Sequence, residues 1–136
     1  MDPAKVRPDI LEKTKIVTAN HKEMFHLAMD RGVKIAFGTD AIGFDDNMHG
    51  DQAREFRYML RMGMNNREAL RAATTTAASL VRMEDKIGSL EPGKYADIIA
   101  VKENPLEDIT TMERVDFVMK DGVVYKENSK TPYRID

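Results

Sequence analysis

The sequence predicts an α/β chain, and three observations carry that expectation. A short, nearly all-apolar run, Val33-Lys34-Ile35-Ala36-Phe37, is flanked on both sides by residues at helical spacing. The pattern then changes near residues 84–88, where glycines and a proline begin to punctuate the chain. Beyond that boundary, two β-branched runs meet at Asp121-Gly122, a strong two-residue hairpin signal.

The elements follow in order. Pro3 and Pro8 bracket the opening stretch, and a helix is expected from about Asp9. Ile10, Thr14, Val17, His21, Met24 and Ala28 recur at steps of three and four, which places them on one side of it. Gly32 ends the helix as a C-terminal glycine does. Val33 to Phe37 then reads as a strand covered on both faces, as in a parallel sheet. Gly38-Thr39-Asp40 closes it, so Asp40 falls at the carboxyl end of a buried strand. A polar loop spans Ala41 to Gly50, and a helix is expected from Asp51 to Met62, stopped by Gly63. Asn65 with Glu68 three residues later is a capping-box signature for a helix running to about Arg82. Tyr95 to Val101 reads as a strand, Asn104-Pro105 as a turn, and Val115 to Lys120 with Val123 to Lys126 as the hairpin. The chain therefore divides into residues 1–84, mostly helical, and residues 85–136, mostly antiparallel β.

Composition narrows the function classes. The chain has 136 residues, 42% of them hydrophobic and 32% charged, as expected of a folded protein of one modest domain. Lys+Arg number 21 against Asp+Glu 23, without the basic excess of a nucleic-acid binder. The longest apolar run, Ile98 to Val101, has four residues, where a bilayer span needs about 20. Residues 1–20 carry charges throughout and no apolar stretch of the secretory type, and a cytoplasmic location is the expectation. Cysteine is absent, which removes disulfides, thiol catalysis and Cys-type zinc sites.

Few residues remain to carry chemistry. His21 and His26 are five apart on one helix, about 140° around its axis, so they do not share a metal. Packing roles suit both. His49 lies in the loop beyond Asp40, where a substrate contact and an ordinary loop residue are both open readings. Asp45, Asn47, His49 and Gly50 mimic the start of a calcium loop, but position twelve is Phe56 instead of a carboxylate. Asp45, Asp46 and Asp51 then read as charge favoured near a helix N-terminus. Asp97 and Asn104 sit in strand and turn contexts that suit structural roles. Asp40 stands where α/β-barrel enzymes place catalytic groups, although Thr39-Asp40 could equally cap a helix or fix a loop. Neither a Ser–His–Asp set nor a glycine-rich phosphate loop is present.

Three ordered motifs resemble the amidohydrolase superfamily, in its imidazolonepropionase-like and prolidase-like branch. Gly32-Val33-Lys34-Ile35-Ala36-Phe37-Gly38-Thr39-Asp40 resembles the last barrel strand. Asn66-Arg67-Glu68-Ala69-Leu70-Arg71-Ala72-Ala73-Thr74 resembles the segment that follows. Ile87-Gly88-Ser89-Leu90-Glu91-Pro92-Gly93-Lys94-Tyr95-Ala96-Asp97 resembles the return into a composite β-sandwich, and the final hairpin fits the same unit. His49-Gly50 after the Asp loop is similar to the branch named. The resemblance runs from about residue 8 to 127.

That resemblance implies a fold: residues 1–84 as the end of a (β/α)₈ metal-dependent hydrolase barrel, and residues 85–136 as part of the sandwich. It implies a divalent metal, zinc by expectation, with Asp40 as metal ligand and general acid/base and His49 as a substrate contact. The reaction implied is hydrolysis of a C–N bond in a small amide, such as a dipeptide. The H-x-H pair, the bridging lysine and the other metal-ligating histidines of the family have no counterparts here. The 136 residues thus read as a carboxyl-terminal portion, whether a fragment, one piece of a split gene or a truncated reading frame, inactive in isolation. Its expected partners are the remainder of the barrel or a second copy, with no nucleic acid and no membrane. The alternative expectation is a non-catalytic α+β binding or assembly module.

Overall fold

A computed structural model describes residues 7–40 and 50–128. Helix α1 spans Pro8–Asp30. Pro8 starts it well, because its fixed φ suits the first helical turn and its missing N–H is not needed there. Asp9 adds a carboxylate to that turn and pairs with Arg7 at 2.9 Å. The helix ends as the glycine predicts: Gly32 takes φ 67°, its N–H reaches the Met29 carbonyl at 2.9 Å, and the Val33 N–H reaches Ala28 at 2.9 Å.

Residues 33–37 do not form a strand, which corrects the expectation for Val33 to Phe37. A strand needs a ladder partner, and no strand among the described residues lies beside this run. It is held by side chains and one backbone bond instead. Ile35 and Phe37 pack on the core, the Phe37 N–H donates to the Ala72 carbonyl at 3.0 Å, and the Phe37 and Phe56 rings sit 4.7 Å apart. Val33 is exposed, and the run is half-buried at its carboxyl end only.

A 3₁₀ turn at Gln52–Arg54 leads into α2, Glu55–Arg61, which buries Phe56 and Met59. Gly63 follows with φ 105°. Helix α3, Asn66–Ala73, begins with the expected capping box: the Glu68 N–H donates to Asn65 Oδ1 at 2.9 Å, and the Asn65 N–H to Glu68 Oε2 at 2.8 Å.

The single helix expected to reach Arg82 is instead two. Helix α4 covers Thr75–Leu80, and Thr74 breaks the path with φ −121° and ψ −94°. Three consecutive β-branched residues, Thr74, Thr75 and Thr76, weaken the helix here. The Thr74 hydroxyl also donates to the Leu70 carbonyl at 2.7 Å, a local bond that competes with the helical ladder.

Strands β1 (Ile98–Ala100), β2 (Phe117–Lys120) and β3 (Val123–Glu127) form an antiparallel sheet in the order β1-β2-β3. The hairpin turns at Asp121-Gly122 as predicted, with φ 50° and 77°. Those two left-handed residues match the strand twist. Ile99 pairs with Val118, which joins the Tyr95 to Val101 segment to the hairpin. Between β1 and β2 lies a 3₁₀ segment, Ile109–Glu113. It closes the core, in which Ile109 packs with Phe56, Met59, Met64, Ala69 and Ala72. Arg57 makes a two-pronged ion pair with Glu113, joining α2 to that segment. Among the described residues no helix is long and apolar enough to cross a membrane.

Candidate functional site

Asp40 comes directly after the half-pinned run 33–37. The Phe37 amide and ring fix the chain to α3 and to Phe56, and Gly38 and Thr39 carry it on to Asp40. Asp40 is exposed and holds φ 47°, in the left-handed region that few residues other than glycine, asparagine and aspartate enter. The one carboxylate that the sequence singles out thus sits on a left-handed backbone position. His49, Asp45, Asp46 and Asn47 lie outside the described residues.

The other two histidines have packing roles. His21 meets Phe25 edge to face, with centroids 6.5 Å apart. His26 lies against Gly63 so closely that a β-carbon there would stand 2.9 Å from its ring. Gly63 is thus required twice, by its positive φ and by the imidazole beside it. Spacing on α1 identified neither contact, because both depend on where the rest of the chain returns. Glu55, which sequence reasoning passed over, is pushed upward: burial raises its pKa against the opposing pull of His21.

Asp97 and Asn104 are structural, as their contexts predict. Asp97 accepts from Lys120 Nζ at 2.6 Å and from the Asp121 N–H at 2.8 Å. Asn104 Oδ1 accepts from the Leu106 N–H at 3.0 Å, a side-chain turn. Lys94 Nζ donates to Ser89 Oγ at 2.5 Å and lies 3.7 Å from Glu91, which knits the Gly88–Lys94 bend together. Gly88 permits that bend to pack, since a β-carbon on it would fall 2.7 Å from Ala78 Cβ.

Among the described residues no three His, Asp or Glu side chains converge so as to hold a metal ion. These residues by themselves do not fit a divalent ion, and Asp40 offers one carboxylate to a site that other residues would have to complete. A separate cavity of about 610 Å³ opens between α3–α4 and β1, lined by Leu70, Ala77, Val81, Ile87, Ile99 and Val101 among others. Its lining does not include Asp40.

Comparison with known proteins gives this geometry a context. A profile of the amidohydrolase family matches residues 4–125. The ochratoxinase of Aspergillus niger is 35% identical over 119 residues, covering 84% of this chain and 24% of that protein. The imidazolonepropionase of Brevibacillus brevis is 32% identical over 113 residues, 79% of this chain and 25% of that protein. Among solved structures, a Xaa-Pro dipeptidase with methionine bound in its active site superposes with a TM-score of 0.70 at 50% identity. It covers 77% of this chain and 25% of its own. The chain thus spans about a quarter of the length of the relatives it matches.

Proposed function

The chain belongs to the amidohydrolase family, and on that premise we propose that it is the carboxyl-terminal portion of a metal-dependent hydrolase acting on the C–N bond of a small amide. In this reading residues 1–84 are the end of the barrel and residues 85–136 are part of the composite sandwich. Asp40 is a metal ligand and the general acid/base, and His49 touches substrate. The names of the relatives support C–N hydrolysis, and the Xaa-Pro dipeptidase supports a dipeptide as the substrate type.

One observation carries the role of Asp40: an exposed carboxylate on a left-handed backbone position, three residues beyond a backbone bond that ties the chain to α3. A general base must be held at a fixed place and must reach a reacting proton. A carboxylate so held takes a proton from the attacking water and returns it to the departing nitrogen. The divalent ion, zinc in this proposal, supplies Lewis acidity when the remaining ligands are present.

The test is Asp40→Asn in the complete enzyme. The substitution keeps the shape and removes the base, so kcat is expected to fall by about 10²–10⁴. Retention of most of kcat with unchanged metal content would show that Asp40 does not have this role.

A further inference from the structure

Ala72 stands one residue before the end of α3 and is buried. Its carbonyl accepts the Phe37 N–H at 3.0 Å. In an uninterrupted helix that carbonyl is engaged by the amide four residues on, here Thr76. The helical path ends before Thr76 is reached, because Thr74 takes φ −121° and ψ −94°. The bonds of Thr74 show how the break is made. Its hydroxyl donates to the Leu70 carbonyl at 2.7 Å, the acceptor that its own N–H would take in a continuing helix. That N–H goes instead to the Arg71 carbonyl at 3.2 Å. The Thr74 carbonyl then accepts the Ala78 N–H at 2.9 Å, at the start of α4.

We propose that this break is a positioning device for Asp40, and that Thr74 is the residue that sets it. The inference rests on the reading of Asp40 as the general acid/base. By ending α3 just after Ala72, Thr74 directs the Ala72 carbonyl to the Phe37 N–H, three residues ahead of the carboxylate. Thr74 acts through Ala72 and Phe37, not on the reacting atoms. Each residue has one backbone donor, so the Phe37 amide is committed to α3 and withheld from any sheet ladder. The tilted contact between the Phe37 and Phe56 rings holds the same residue from another side. A ring contact tolerates sliding, whereas a hydrogen bond weakens steeply off its line, so the amide bond fixes the direction of the chain. That direction matters, because a misplacement of about 1 Å at a reacting group can cost on the order of 10²-fold in rate.

The experiment compares Thr74→Ala, Thr74→Ser and Asp40→Asn in the complete enzyme, by steady-state kinetics and by hydrogen exchange at the Phe37 amide. Thr74→Ala removes both the hydroxyl and the β-branch that disfavour a continuous helix. It is expected to lower kcat at least about tenfold with KM within about twofold, and to speed Phe37 exchange at least about tenfold. Thr74→Ser keeps the hydroxyl and is expected to retain most of kcat. A role in stability alone would lower the thermal midpoint and leave kcat unchanged well below it. Should Thr74→Ala not fold, Thr74→Val keeps the size of the side chain, loses the hydroxyl and is expected to show the same two changes at about threefold or more. Three results overturn the proposal: full kcat in Thr74→Ala beside an inactive Asp40→Asn, a loss of kcat with the Phe37 amide as protected as before, or Thr74→Ser as impaired as Thr74→Ala. If Asp40→Asn keeps its kcat, the reading of Asp40 falls, while faster exchange at Phe37 in Thr74→Ala still supports the tether.

Discussion

Asp97 and Lys120 close the β-unit: the Lys120 ammonium donates to the Asp97 carboxylate at 2.6 Å across the start of the sheet. The same carboxylate takes the Asp121 N–H at 2.8 Å, so it holds the hairpin turn as well as the strand before it. Tyr95 adds its ring face 5.9 Å from the same ammonium.

The first prediction concerns acid stability. The Lys120 hydrogen bond, then the Asp121 N–H, hold the Asp97 carboxyl below its usual range. Asp97 lowers its folded pKa, so its stabilisation is present above the unfolded value of 3.8 and is lost as pH falls through the folded value. Asp97→Asn should lower the thermal midpoint at pH 6 and flatten its decline in that acid window. A variant with the wild-type acid profile would show that the pair does not support the hairpin.

A second prediction tests the bend at Gly88. Its φ of 91° disfavours any side chain, and an added β-carbon would meet Ala78 Cβ at 2.7 Å and the Thr74 carbonyl oxygen at 3.1 Å. Gly88→Ala should therefore cost about 1–3 kcal/mol by overpacking, read as a lower urea midpoint. An unchanged midpoint would mean that α4 moves freely away.

The third is the cap on α3. Asn65→Ala removes the acceptor for the Glu68 N–H and should cost about 1 kcal/mol in the same urea experiment. Asn65→Asp should recover most of it, since aspartate caps equally well.

The cap and the hairpin were legible because each depends on residues within a few positions of one another. Asn65 and Glu68 satisfy each other's backbone, and Asp121-Gly122 sets its own turn. The break at Thr74 was less visible, because Ala69, Ala73 and Ala77 keep a helical pattern across it. What decides there is the three threonines, with the Thr74 hydroxyl on the Leu70 carbonyl competing with the helical ladder. The strand at 33–37 failed for a different reason. Its apolar composition describes a residue run suited to two neighbours, and composition cannot supply a neighbour. Asp40 was legible as a position, after the run and before the loop. Its left-handed backbone was not, since an aspartate enters that region only in particular surroundings, which no local pattern of residues specifies.

A fourth prediction is that the isolated 136-residue chain has no metal-dependent dipeptidase activity. A catalytic ion needs a defined ligand set and an open position, and a single carboxylate holds a divalent ion weakly. Turnover of a Xaa-Pro dipeptide that is lost on chelation and regained with zinc would overturn this expectation.

The last prediction separates the two proposed site residues within the complete enzyme. Asp40 is assigned to proton transfer, so its loss acts on the chemical step and lowers kcat and kcat/KM together. His49 is assigned to substrate contact from the loop beyond Asp40. An interaction made equally with bound substrate and transition state changes KM while leaving kcat nearly constant. His49→Ala should therefore raise KM more than it lowers kcat, the opposite split from Asp40→Asn. Steady-state kinetics on both variants, with metal content measured beside each, distinguishes them. If His49→Ala lowered kcat as far as Asp40→Asn with KM unchanged, His49 would belong to the proton-transfer step, and the division of labour between the two residues would have to be redrawn.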